Sequence, residues 1–153
     1  MSFLFSLEED KIAEQLIPVL DKFDKDIADA EHLFKLEGQR IEMLARTLPQ
    51  HQAFYDQRQA EAKHLIKWLE NLMARVEARL TKNYLNGQRV YGSRETSTLI
   101  AGEKDIIEYK QLIIEASLAH QKLEAITEAF RQMGWSLGNI VKLRVSEMHD
   151  AIL

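Results

Sequence analysis

The sequence predicts an all-α protein: an elongated helical hairpin or bundle of about four helices that assembles into a homo-oligomer through helix packing. Two prolines in 153 residues, and one glycine before residue 87, leave long stretches free of helix breakers. Apolar residues recur at steps of three and four, the spacing of a helix face. Hydrophobic residues make up 46% and charged residues 29%, a composition typical of one folded domain, residues 1–153.

The first long helix is predicted from an apolar repeat that alternates steps of four and three residues, the seam of a heptad helix. Pro18 lies inside this repeat and is expected to kink the helix or to mark its start. Thr47-Leu48-Pro49 is expected to end this helix and begin the next one. The repeat comprises Leu16, Leu20, Phe23, Ile27, Ala30, Phe34, Ile41, Leu44 and Leu48.

The second helix is expected to run from Pro49 to about Lys82, so that residues 1–83 form two long N-terminal helices. We expect Trp68, on its apolar stripe, to be a core or interface residue. Two helices of this length are too long to cover their stripes within a compact chain, and a second copy is the simplest source of partner helices. The stripe comprises Phe54, Leu65, Trp68, Leu69, Leu72, Met73, Val76 and Leu80.

Residues 84–102 are predicted to be a loop region and residues 103–153 to form the C-terminal helices. Asn86-Gly87 is a turn signal. A third helix is expected to begin between residues 93 and 103 and to end at Met133, with Gly134 as a left-handed cap. A fourth, short helix follows, in which Ser136 is the predicted cap and Trp135 the anchor. Its apolar face comprises Leu137, Ile140, Val141, Val145, Met148 and Ile152.

Positive charge is concentrated in one block. The net charge is −4, yet residues 63–94 carry seven basic and two acidic residues. Cations neutralise phosphates and aromatic rings stack on unpaired bases, so a mixture of the two is typical of a single-stranded-DNA site. The candidate nucleic-acid-binding residues are Arg75, Arg79, Lys82, Tyr84, Arg89, Tyr91 and Arg94.

No catalytic, metal or cofactor site is predicted. Glu61 and His64 have the Glu-x-x-His spacing of dimetal bundles, but those sites require a second such pair, which the sequence lacks. Phosphate-loop and nucleophile-elbow motifs are absent, and without cysteines there are no disulfides. We expect a cytoplasmic protein, since the N-terminus has no signal-peptide pattern and no stretch approaches the ~20 apolar residues of a membrane helix.

The C-terminal half resembles the UvsY family of recombination mediators from T4-type bacteriophages. The shared features begin with Ala78-Arg79-Leu80, Tyr84 and Gly87 and continue with Tyr91, Glu95 and Glu103-Lys104-Asp105. Gly134-Trp135, Ile140 and Arg144 complete them, and from Tyr91 to Arg144 the spacings run without a gap. The first 60 or so residues are similar only in helical character.

The resemblance implies a homo-oligomeric ring or bundle that binds single-stranded DNA in the host-cell cytoplasm. It implies two protein partners: a RecA-like recombinase of the UvsX type and the single-strand-binding protein that coats the DNA. In the family a Lys-x-Arg pair contacts DNA; here Arg79 matches the arginine, but Glu77 occupies the lysine position. The alternatives are a coiled-coil adaptor or scaffold with protein partners only and, more distantly, a metal-dependent bundle.

Overall fold

The computed structural model describes residues 11–35 and 38–150, with side chains up to residue 147. Helices α2 and α4 are 45 and 47 residues long and pack along each other. Helix α1 lies mainly against α4, and α3 packs against α2 and α4. The described residues contain no strand, so the predicted all-α class is confirmed. In chain order the helices are α1 (Ile12–Leu33), α2 (Ile41–Leu85), α3 (Ser93–Ala101) and α4 (Lys104–Asp150).

Helices α2 and α4 are antiparallel. Near the start of α2, Leu48 meets Gly134, and Tyr55 stacks on Phe130 with ring centroids 5.3 Å apart. Near the end of α2, Val76 lines a cavity together with Tyr109, close to the start of α4. Consequently the end of α2 and the starts of α1, α3 and α4 all lie at one end of the bundle, which is where the candidate residues are found.

The three long helices cover one another's apolar stripes, which corrects one expectation. The α1 stripe (Leu16, Leu20, Phe23 and Ala30) is buried against α2 and α4 of the same chain. Most of the α2 stripe is covered likewise: Leu65, Leu69, Leu72 and Val76 are buried, whereas Phe54 is 42% exposed. The argument that these stripes require a second copy is therefore wrong, because it did not allow for an equally long α4.

The first long helix ends at Leu33 rather than before Pro49. Gly38 has a φ of +77°, a left-handed conformation that glycine adopts without steric cost. Helix α2 begins at Ile41 and continues through Pro49, and Pro18 likewise lies inside α1. Proline leaves the carbonyl four residues earlier without its helical partner. Because Ala45 and Pro49 are both exposed, water can reach that carbonyl.

Helix α4 does not stop at Gly134, so the predicted cap and the separate fourth helix are both wrong. A methyl group at Gly134 would lie 3.3 Å from Cδ2 of Leu48. This glycine therefore serves close packing of α4 on α2, and Ser136 lies inside the helix. Trp135 is 77% exposed, so it does not anchor the helix as expected, whereas Trp68 packs half-buried against the core.

The predicted loop region contains a helix. Residues 93–101 form α3, whose start falls within the range expected for the third helix, but Gly102 and Glu103 separate it from α4. Thr96 and Ile100 are its buried residues. Residues 86–92 are the connection that remains between α2 and α3.

Polar contacts hold α1 against α2 at mid-length. The hydroxyl of buried Tyr55 donates a hydrogen bond to the backbone carbonyl of Asp26 at 2.7 Å. Nε of Arg58 lies 2.7 Å from the Asp26 carboxylate, both side chains being only 15% exposed. Burial, followed by the nearby Asp26 and Asp29, raises the pKa of Tyr55. The pair fixes the position of α1, and with it the placement of Lys11 near the end of α2.

We predict opposite consequences for two glycines of α4. Gly138→Ala introduces a methyl group with no atom within 4 Å, so the higher helix propensity of alanine is expected to stabilise the fold by about 0.5–1 kcal/mol. Gly134→Ala must displace Leu48, so we expect it to stabilise the fold less than Gly138→Ala does, or to destabilise it. Thermal and urea unfolding of the two variants measure the difference, and equal stabilisation by both would contradict the close-packing role of Gly134.

Candidate nucleic-acid interface

Three of the candidate cations form one exposed stripe on α2. Arg75, Arg79 and Lys82 are separated by four and three residues, so they lie within about 60° of one another around the helix. All three are exposed. Long side chains on such a stripe can contact consecutive phosphates of a strand that follows the helix. The stripe is continuous because the helix carries these residues to its last turn without a break.

Glu77 does not lie on this stripe. Residues two apart in a helix point about 200° away from each other, which places Glu77 across α2 from Arg79. Glu77 is half-buried, and its backbone carbonyl accepts a hydrogen bond from Thr81 Oγ1 at 2.8 Å. Glu77, which stands where the family that the chain resembles has a lysine, therefore does not place a carboxylate among the three cations.

Arg79 also lines a cavity of about 290 Å³ between the starts of α1 and α4. Lys11 and Lys104 contribute two further cations to its wall. Both helices point their N-termini toward this region, and helix N-termini carry partial positive charge. Glu14, Asp105 and Glu108 supply three carboxylates to the same wall, so the cavity itself is a mixed-charge site beside the cationic stripe.

Lys11 and Lys104 are the cations that sequence reasoning missed. Lys11 is 68 residues before Arg79 and Lys104 is 25 residues after it, so no local spacing relates them. Only the antiparallel packing of the long helices brings them together. The single hint is that Lys104 lies within the acid-Lys-Asp triplet that carries part of the family resemblance.

The aromatic candidates form a separate cluster between the end of α2 and the loop. The hydroxyl of Tyr84 donates a 2.5 Å hydrogen bond to Oε1 of Glu103. The rings of Tyr84 and Tyr91 are perpendicular, with centroids 5.7 Å apart. The Arg89 guanidinium carbon lies 5.2 Å from the Tyr91 ring centroid, a cation–π contact. This cluster links the connection after α2 to the start of α4.

The two tyrosines are not equally available to a base. Both rings are half-buried, but only Tyr84 is packed against the core cluster, so Tyr84 supports the loop. Tyr91 lies within the connection and meets Arg89, whose side chain is 75% exposed and 3.8 Å from the Glu95 carboxylate. An exposed pair of this kind contributes little to stability. A base can therefore exchange places with Arg89 on Tyr91 at small cost.

The candidate residues thus fall into two groups rather than one patch. Lys82 and Tyr84 are two residues apart in α2 and point about 200° away from each other around the helix. The cationic stripe is on one side of the last turns of α2, and the Tyr84–Tyr91–Arg89 cluster is on the other. Arg94 is exposed in the first turn of α3, beyond the cluster.

The spacing of Glu61 and His64 is not developed into a metal site. The Glu61 carboxylate accepts hydrogen bonds from Arg58 at 2.6 Å and from Gln57 at 3.1 Å. Across residues 11–35 and 38–147, no group of three or more histidine and carboxylate side chains is placed to hold a metal ion. Glu61 instead extends the Asp26–Arg58 contact that joins α1 to α2.

Comparison of the chain with models of protein families, with curated proteins and with solved structures found no match. None of the helices in the described part of the chain is both long and apolar enough to cross a membrane.

We predict that Glu103 governs the ionisation of Tyr84. The hydrogen bond to Glu103 is the main cause that raises the pKa of Tyr84, followed by desolvation. The stability that this hydrogen bond contributes is therefore present below the ordinary tyrosine pKa of about 10. It is lost as the pH rises through the raised pKa of Tyr84 in the folded protein. In Glu103→Gln the neutral amide accepts a weaker bond, so we expect Tyr84 to ionise at lower pH. Phenolate absorbance against pH, with Tyr84→Phe to identify the signal, measures this shift; an unchanged profile in Glu103→Gln would contradict it.

Proposed function

We propose that this protein is a recombination mediator of the phage type. It binds single-stranded DNA without strong sequence preference and helps to load a RecA-like recombinase onto strands coated by single-strand-binding protein. The observation that carries the proposal is the exposed stripe of Arg75, Arg79 and Lys82, beside which Lys11 and Lys104 converge. The resemblance of the C-terminal half to the UvsY family supports the same function.

Phosphate contacts explain why binding would be independent of sequence. Lysine and arginine neutralise phosphates whatever the base, and counterions are released in the process. The stripe would hold the backbone of the strand, while Tyr91, with Arg89, would offer a stacking surface where the strand passes around the end of α2. No chemistry on the DNA is required, since stabilising the first recombinase subunits on the strand shifts the equilibrium by mass action.

Self-association into a ring or bundle belongs to the same proposal, because three cations per chain bind weakly and several linked sites bind one strand with avidity. Support comes from the end of α4. Leu48 lies opposite Gly134, so α2, which starts at Ile41, reaches only to about residue 141 of α4. From about this point onward, the core-facing stripe of α4 carries exposed apolar side chains: Ile140, Val141 and Val145.

The alternative is a helical adaptor with protein partners only. Exposed apolar residues on α4, among them Ile114 and Leu118, favour it, because unpartnered apolar surface marks protein interaction sites. The two functions differ in how binding responds to salt. Phosphate neutralisation weakens steeply as salt rises, whereas an apolar helix interface has no comparable counterion release.

We expect a labelled single-stranded oligonucleotide to bind the protein at low salt and to dissociate as salt rises. Arg79→Ala should weaken binding and reduce the salt slope by about 0.7 for each phosphate that is no longer neutralised, and Arg75→Ala/Lys82→Ala should do so further. Arg46→Ala is the matched control, since it is exposed on the same helix about 50 Å away. Fluorescence anisotropy across a salt series measures these effects, with circular dichroism confirming that each variant folds.

Equal losses of affinity in Arg46→Ala and Arg79→Ala would mean that net charge, not the stripe, determines binding. No binding of the wild type at low salt, from folded and assembled protein, would favour the adaptor. The loading step is tested with the same variants by the ATPase activity of a UvsX-type recombinase on strands coated by single-strand-binding protein, where stripe variants should lose the stimulation.

We expect Val141→Asp to reduce the size of the assembly. The substitution places a charge on the uncovered apolar stripe, and burying an unpaired carboxylate is costly. Asn139→Asp adds the same charge two residues away, about 200° round the helix, and should leave assembly unchanged. Sedimentation velocity over a concentration series measures both; identical behaviour of the two variants would exclude this stripe as an interface.

A further inference from the structure

The outward face of α4 is apolar as well as its core-facing side. Ile107, Ile114 and Leu118 are 52%, 68% and 51% exposed, while Ile106, Leu112 and Leu123 are buried against the other helices. The helix thus has two apolar sides, and residues 11–35 and 38–147 cover only one of them along this length. A helix that is apolar on both sides is expected to be enclosed on both.

The outward residues follow the spacing of a coiled coil. Steps of four and three residues run without interruption over about 27 Å of helix. None of the six positions carries a charge, and the charged residues Lys110 and Glu115 lie on the two flanks of the stripe. We call these six positions the outer stripe: Ile107, Gln111, Ile114, Leu118, Gln121 and Ala125.

We propose that the outer stripe packs against the outer stripe of a second copy in a parallel, in-register coiled coil. In register, Ile107, Ile114 and Leu118 each meet their own equivalent in the partner, so apolar layers face apolar layers. Gln111 and Gln121 also meet their equivalents, and paired polar layers of this kind fix the register of a coiled coil. This interface is additional to the exposed C-terminal end of α4.

One pair of flanking charges complements a second copy in this orientation. In a parallel coiled coil, a residue on one flank faces the partner residue five positions further on, on the other flank. Lys110 would therefore face Glu115 of the partner subunit, twice by symmetry, and both residues are exposed. An antiparallel pairing centred on the stripe would instead set Ile107 opposite Ala125, Ile114 opposite Leu118 and Lys110 opposite Glu124. The parallel pairing differs in that every apolar residue of the stripe meets its own equivalent.

The inference rests on the self-association included in the proposed function and is independent of strand binding. The chain has no cysteine, so single cysteines can report the interface directly. Under mild oxidation, Ile107→Cys and Ile114→Cys should each give covalent dimers in high yield, because in-register positions bring the two Cα atoms within disulfide range, ~4.4–6.8 Å. Ala60→Cys, exposed on α2, should not.

Cross-linking at neither α4 position, or equally at Ala60→Cys, would overturn the proposal. In the centred antiparallel pairing, Ile107 lies opposite Ala125 and Ile114 opposite Leu118, so neither cysteine would meet its own equivalent, whereas the parallel pairing brings both together. Strand binding, measured by anisotropy, separates this interface from the mediator function. Covalent dimers that do not bind the strand would refute the mediator function alone. Strand binding by protein that forms no covalent dimers would refute the outer-stripe interface alone.

A charge exchange tests the same interface without cysteines. Lys110→Glu and Glu115→Lys should each weaken dimerisation about tenfold, since two attractive pairs become repulsive. The double variant Lys110→Glu/Glu115→Lys should restore it. Lys110 and Glu115 are five residues apart, about 140° around one helix, so they do not pair within a chain. Recovery in the double variant, measured by sedimentation, therefore reports a contact between chains, and failure to recover would exclude the parallel pairing.

Discussion

The antiparallel pairing of α2 with α4 is the contact on which the rest of the molecule depends. It is anchored where Leu48 meets Gly134 and where Tyr55 stacks on Phe130. Because both helices exceed 40 residues, a register set at one end is carried for about 45 Å to the other. There it determines which side chains share the end of the bundle: Arg79 with Lys104, and Tyr84 with Glu103.

Helix geometry at the end of α2 then separates cations from aromatic rings. A strand that contacts only the stripe of Arg75, Arg79 and Lys82 experiences charge without stacking. One that reaches Tyr91 must pass around the last turn of α2. In the proposed function, such a bent path would help to displace the single-strand-binding protein, because the strand would be held at two faces of α2 rather than along one. The Tyr84–Glu103 hydrogen bond keeps the second face in position.

Sequence periodicity was sufficient for the helical class, for most buried positions of α1 and α2 and for the end of α2 near residue 83, because each depends on neighbours three or four residues away. Phe54, which lies on the predicted stripe but is exposed, is an exception. It failed where the deciding contact is distant. Gly134 resembles a helix cap until Leu48 is known to lie against it, and Pro49 resembles a helix start until its exposure is known. Lys11 and Lys104 could not be assigned to the site of Arg79 because only the helix register joins them. Among the candidates, Arg75, Arg79 and Lys82 needed nothing more than helical spacing to be grouped.

In the proposed function, the charge distribution ties strand binding to assembly. With a net charge of −4, the chain as a whole repels DNA, and the attraction comes from a few cations at one end. The carboxylates of Glu14, Asp105 and Glu108 in the neighbouring cavity moderate that attraction further. A single chain would therefore bind phosphates weakly, and copies held side by side would supply the missing affinity because each strand contact raises the effective concentration of the next. A parallel pairing of α4 is suited to this purpose: it places the stripes of both copies at the same end of the assembly, whereas an antiparallel pairing would place them at opposite ends.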